Sequence, residues 1–90
     1  MMRQLRRTSQ FKRDVKRQRK RGKALNSLRD VLILLADGKE LPDKYRDHIL
    51  VGSYHGVREC HIEPDWLLIY EATDTELILI RTGSHTDLFE

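Results

Sequence analysis

The strongest constraint on the fold lies near the C-terminus, where three apolar segments are separated by tight polar turns. "VRECHI" begins at Val57 and alternates in character, "WLLIYE" begins at Trp66, and "ELILIRT" begins at Glu76. Short runs rich in branched and aromatic residues read as strands, and "EPD" and "ATDT" supply the turns between them. Turns this tight join neighbouring strands that run in opposite directions. Pro64 has no backbone donor and belongs in the turn, outside the ladder. Cys60 and His61 are adjacent in an alternating strand and point to opposite faces. If His61 faces a site, Cys60 sits with Ile62 against the helices, as a small core residue.

Upstream, the period changes. Residues 2–7 can form an edge strand, and Thr8 or Ser9 can cap a helix because a short hydroxyl accepts from an unpaired N–H. That helix runs to about Arg21 and stops at Gly22, with Phe11 and Val15 as its few apolar anchors. Leu25, Leu28, Val31, Leu32 and Leu35 follow the three-and-four spacing of a second, better buried helix, which Gly38 and Pro42 close. Residues 39–56 are a long polar connection, a kind of segment that is often functional. The expected fold is α+β in the order β-α-α-β-β-β, an antiparallel sheet packed against a helical hairpin, with residues 1–90 as a single domain. A chain of 90 residues buries about two thirds of its unfolded surface, so its stability margin is modest.

Charge is unevenly distributed. Residues 1–30 carry 12 Lys or Arg against Asp14 and Asp30, whereas residues 31–90 carry a balance of −7. A basic block of this kind suits a polyanion through counterion release, and equally a solvated helix face or a docking surface for an acidic protein. One cysteine excludes an internal disulfide framework and fits a reducing compartment. No apolar run approaches the roughly 20 residues of a membrane-spanning helix, so a cytoplasmic location away from membranes is expected.

The chain has four histidines, His48, His55, His61 and His85, each in or beside a loop or strand end. The strand order brings the neighbourhoods of His61, Asp65 and Arg81 together, and His85 leaves the last strand through Gly83 and Ser84, which reads as a flexible exit. Histidines can divide base and acid roles near neutrality. An aspartate can orient an imidazole, and an arginine can clamp a phosphate with two parallel hydrogen bonds. Trp66, Tyr54, Tyr70 and Phe89 offer rings on which unpaired bases stack. These are the components of metal-free RNA cleavage, in which the 2′-OH attacks the adjacent phosphate. Taken one at a time, the same residues have plainer roles: a surface histidine, a turn aspartate at Asp65, a cross-strand ion pair at Arg81, a core anchor at Trp66, a C-terminal plug at Phe89. His48, Cys60, His61 and His85 could also be weighed as zinc ligands, but no metal-ligand spacing is present, and no metal or cofactor is expected. There is no Gly-rich phosphate loop and no serine-nucleophile motif.

The stretches "LPDKYRDHILVGSYHGVRECHIEPDWLLIYE" and "LILIRTGSHTDLFE" resemble the YafQ branch of the RelE-type toxins of bacterial toxin–antitoxin systems. The resemblance spans nearly the whole chain and implies a small fold of the same element order. It implies ribosome-dependent cleavage of mRNA in the A site, with active-site positions at His48, His61, Asp65, Trp66, His85 and Phe89 and with Arg81 facing the phosphate. His85 would move the proton closest to the chemistry, and His48 and His61 would share base, acid and electrostatic roles. Asp65 would orient or tune a histidine, and Trp66 and Phe89 would pack the site or stack on nucleotides. More distant RelE members use lysine and arginine instead, so the mechanism follows the YafQ branch alone. Lys12, Arg13, Lys16, Arg17 and Lys20 of the first helix would grip ribosomal RNA. The implied partner is an antitoxin, a ribbon-helix-helix or similar DNA-binding dimer, through which alone the toxin would meet operator DNA. The alternative is a non-catalytic or gyrase-directed ParE-like relative, or a module that only docks an antitoxin.

Overall fold

The computed structural model describes residues 2–50 and 57–89; the expectations placed on Tyr54 and His55 lie outside them. In chain order the elements are β1 (Gln4–Arg7), α1 (Ser9–Lys20), α2 (Leu25–Ala36), a 3-10 turn (Asp43–Tyr45), β2 (His48–Ile49), β3 (Arg58–Glu63), β4 (Trp66–Ala72), β5 (Glu76–Gly83) and α3 (His85–Phe89). The architecture is α+β, with one five-stranded sheet in the order β1-β5-β4-β3-β2. The strands β3, β4 and β5 are antiparallel neighbours, as their turns require. By contrast β1 is parallel to β5, in a register that runs from Gln4↔Glu76 to Arg7↔Leu79. Two short additions, β2 and α3, frame the site described below.

Local chemistry sets the helix ends. Thr8 Oγ1 accepts from the Phe11 N–H at 3.0 Å and donates to the Ile80 carbonyl at 2.8 Å, so one side chain caps α1 and ties it to β5. Gly22 and Gly38 take left-handed φ values of 83° and 73° just past the two helices, where a Cβ would be strained. The buried stripe of α1 is Phe11, Asp14 and Gln18, with Val15 half-buried. The spacing is helical, but two of the three buried positions are polar.

Alternation along the strands separates two cores. On the helix face, Phe11, Leu28, Val31 and Leu35 meet Cys60, Ile62, Trp66, Leu68 and Tyr70. Cys60 thus sits where strand alternation places it. Burial, reinforced by the carboxylates of Asp47 and Glu59, pushes its thiol pKa up to about 12. On the opposite face Val57, Leu67 and Ile69 are covered by Leu88 of α3.

Trp66 and Tyr70 cannot serve as stacking platforms, because they are 0% and 1% exposed. The Trp66 indole N–H donates to Thr82 Oγ1 at 2.9 Å inside the sheet–helix core, so Trp66 acts as a core anchor. The segment after β5 is likewise not a loose exit. Ser84 Oγ accepts from the Asp87 N–H at 3.1 Å while Asp87 Oδ2 accepts from the Ser84 N–H at 3.0 Å, a reciprocal capping box that starts α3. Among the described residues no helix is long and apolar enough to cross a membrane.

Candidate active site

The site is built on the sheet face away from α2. His48 of β2 pairs directly with Glu59 of β3, and His61 lies two residues further along β3, so strand alternation gives all three the same face. Glu59 is buried at 5% exposure, and one of its oxygens serves both rings. His48 Nε2 is 3.3 Å from Glu59 Oε1, and His61 Nε2 is 3.7 Å from the same atom. The other nitrogen of His48, Nδ1, lies 2.7 Å from the Arg46 carbonyl. A carbonyl only accepts, so Nδ1 carries the proton there. Arg46 holds the left-handed conformation at φ 49° and ψ 45°, rare for a residue with a side chain. That conformation ends the 3-10 turn and leads the backbone into β2, where His48 is the first residue.

Asp47 fixes this edge to the sheet. Its carboxylate accepts from Arg58 at 3.1 Å and from the Tyr70 hydroxyl. Burial, and then the bond to Asp47, pushes the Tyr70 phenol above its ordinary range, so it stays a donor at physiological pH.

His85 enters from the far side, as the first residue of α3. Its backbone N–H donates to Asp65 Oδ1 at 3.2 Å, and its ring Nδ1 lies 3.7 Å from that oxygen. Asp65 in the β3–β4 turn thus holds the backbone at the start of α3 and stands beside the His85 ring. The three imidazoles form a row: ring centroids are 6.4 Å apart for His48–His61 and 6.2 Å for His61–His85, and Phe89 continues it 5.7 Å beyond His85. Phe89 is 42% exposed.

A latch holds α3 in place. Asp87 accepts from Arg21 at 2.6 and 3.0 Å, from Gln18 at 3.3 Å and from Arg17 at 3.4 Å, besides its role in the capping box. The Arg21 guanidinium, aided by the Ser84 N–H and hydroxyl, holds the Asp87 carboxyl well below the usual carboxylate range. Gly83 is required at the start of this turn, since a Cβ there would sit 2.9 Å from Asp87 Cβ.

Of the cations singled out in the sequence, Arg17 and Arg81 meet carboxylates. Arg17 is claimed in part by Asp87, whereas Lys12, Arg13, Lys16 and Lys20 project into solvent along α1. Arg81, expected to clamp a phosphate, gives its Nε and Nη2 to buried Asp14 at 2.9 and 3.1 Å. One bidentate edge of the guanidinium is therefore bonded to a carboxylate. Asp14 also accepts from the Thr82 N–H at 3.2 Å, so the pair clips α1 to β5.

Of the residues singled out in the sequence, the structure gathers His48, His61, Asp65, His85 and Phe89, and it sends Trp66 to the core. It adds four acids that the sequence reading passed over, and three had signals. Glu59 is two positions before His61 on an alternating strand, Ser84 and Asp87 have capping-box spacing, and Asp14 falls three residues after Phe11 on the buried stripe. The fourth, Asp47, had no comparable local signal.

The sequence profile of the family described as "Bacterial toxin of type II toxin-antitoxin system, YafQ" matches residues 3–90. The chain belongs to the YafQ family. A relative with 46% identity over 83 residues, spanning 91% of this chain and 90% of its own length, is the mRNA interferase toxin YafQ of Escherichia coli K12. Among solved structures, the E. coli DinJ-YafQ toxin-antitoxin complex superposes on this YafQ-family chain with a TM-score of 0.92 at 43% identity, covering 100% of both chains. A metal-bound toxin from Helicobacter pylori gives a TM-score of 0.90 at 38% identity, covering 99% of this chain and 100% of that one. The α+β fold and membership among type II toxins thus stand on both sequence and structure.

Proposed function

We propose that the chain is an mRNA interferase toxin, a ribosome-dependent endoribonuclease that cuts mRNA in the A site and so inhibits translation. The observation that carries this reading is the row of three imidazoles, bridged at one end by Glu59 and tethered at the other by Asp65. Neighbouring ring centroids stand 6.2 and 6.4 Å apart, so a base and an acid both lie within reach of one phosphodiester laid along the row. One imidazole takes the 2′-OH proton, the oxygen attacks the adjacent phosphorus, and another imidazole protonates the departing 5′ oxygen. The products are a 2′,3′-cyclic phosphate and a 5′-OH. His85, more than half exposed and held by Asp65, is placed to meet the substrate first. Proton transfer by imidazoles supplies the step without a metal. Arg81, fixed by Asp14, lends positive charge from β5 instead of acting as a free clamp. Phe89 stacks on a neighbouring base.

The exposed cations Lys12, Arg13, Lys16 and Lys20 grip ribosomal RNA. An antitoxin restrains the toxin, a reading supported by the complex formed by the E. coli relative. Operator DNA is reached only through that complex, and the protein acts in the cytoplasm.

Mapping mRNA 5′ ends in a translating extract tests the reading. Wild type generates new ends within translated codons, and His85→Ala loses cleavage by about a hundredfold or more, the range of a lost acid–base group. His48→Ala and His61→Ala give smaller losses. Growth arrest with intact mRNA and damaged DNA would overturn the proposal.

A further inference from the structure

A second concavity adjoins the imidazole row. It is a cleft of about 550 Å³ between α2, the 3-10 turn and the β3–β4 turn, and His61 lines both it and the row. The volume lies in the range of small-molecule sites. Its walls differ in character. Lys44 and Arg46 contribute cations, the Tyr45 ring and Pro64 contribute flat apolar surface, and Asp30 and Glu63 contribute carboxylates. The Lys44 ammonium lies 5.0 Å from the Tyr45 ring centroid, so this cation and aromatic act as a unit. Lys23 neutralises Glu63 at 3.4 Å, whereas Asp30 makes no ion pair among the described residues. The left-handed Arg46 backbone serves both regions, since its carbonyl aligns His48 while its side chain lines the cleft. A non-glycine residue in this conformation is strained, and such strain concentrates at ligand sites.

We propose that this cleft is a nucleotide subsite for the RNA residue next to the cut bond, and that Asp30 makes it prefer a base bearing an amino group. This rests on the endoribonuclease reading and assigns that site its base preference. The cations take the phosphate, the Tyr45 and Pro64 surfaces receive the base, and the Asp30 carboxylate accepts from an exocyclic amine. Adenine, cytosine and guanine carry such amines. Uracil presents a carbonyl at the place of the cytosine amine and repels a carboxylate there. Continuity through His61 sets the register: a base in the cleft puts its phosphate at the edge of the imidazole row.

The test titrates the free protein with the four nucleoside 3′-monophosphates and follows backbone amides by NMR, in parallel with mRNA end mapping. Amides of Asp30, Tyr45, Arg46 and Glu63 shift on titration, and UMP binds about fivefold or more weakly than the other three. Asp30→Asn, at an exposed position, narrows that gap to below twofold. Arg46→Gln weakens all four nucleotides alike. In the extract, Asp30→Asn redistributes cuts toward sites with a flanking uridine. Shifts confined to other surfaces, equal binding of UMP, or a gap that survives Asp30→Asn would overturn the subsite. If wild type leaves translated mRNA intact, the nuclease reading fails while the nucleotide titration still decides the cleft.

Discussion

Replacing Asp87 with alanine should remove most of the proposed mRNA cleavage, although Asp87 itself contacts no imidazole. Asp87 is 9% exposed and is the sole carboxylate against which Arg17 and Arg21 are held among the described residues. Its removal has three costs. Loss of the capping box costs about 1 kcal/mol at the start of α3. The Arg21 and Arg17 contacts are exposed and screened and add little to the sum. Gln18, 1% exposed, loses a hydrogen-bond partner, at about 1 kcal/mol more. The total of about 2 kcal/mol falls on a helix of five residues that has little other reason to be helical. Much of it should therefore appear as undocking of α3, carrying His85 and Phe89 out of the row. A shift of this size corresponds to about one and a half decades in the docked population if docking is near balance, and less if it starts with a margin. Cleavage in a translating extract should fall by up to about 30-fold, with faster hydrogen exchange at residues 84–89 and little change in the β4 amides. The pH dependence has a defined sign. Folding depresses the Asp87 pKa, so its contribution is complete above the unfolded carboxylate value of about 4 and is lost as pH falls below it. The gap between wild type and Asp87→Ala should be constant from pH 7 to about pH 5 and should narrow in acid. Activity within twofold of wild type, with unchanged exchange in α3, would refute the latch.

Glu59→Gln should lower cleavage about tenfold while the protein stays folded, because an amide can also donate and no longer orients two imidazoles through one oxygen; kinetics beside a thermal melt would check this, and full activity would remove Glu59 from the site. Cys60, with its thiol raised to about 12 and 0% exposed, should resist alkylation in the native state at pH 8 and react only as fast as the protein unfolds. Ribosome binding should weaken steeply with ionic strength, and neutralising Lys12 and Lys16 together should reduce the slope of log K against log salt by about 2; a flat response would point to protein docking instead.

Much of the architecture was legible because it follows from local chemistry. The three C-terminal strands declare themselves by alternation and turn residues, and Gly22 and Gly38 mark helix ends that only a left-handed residue completes comfortably. The parallel pairing of β1 with β5 was not legible, since no short-range pattern says which distant strand accepts an edge. At the site, the histidines were visible by type and position, but the contacts of their partners emerge only from geometry. Glu59 and Asp87 carried spacing signals, two residues before His61 and three after Ser84, yet spacing alone does not say which rings or guanidinium groups they meet. Trp66 and Arg81 show the plainer roles that the sequence left open, a core anchor and an ion pair. A residue type suited to chemistry can be consumed by structure: the indole by the core and Thr82, the guanidinium by Asp14.

The β1–β5 pairing has a consequence in time. Arg6 and Glu76, joined across that edge, are 70 positions apart in sequence. Contacts of such separation close large loops and slow the final step of folding. The first strand emerges from synthesis long before β5, its neighbour in the sheet among the described residues, exists. His85 is made later still, so an emerging chain holds neither a closed sheet nor a complete imidazole row. The cleavage proposed for that row must therefore wait until both β5 and α3 have been made.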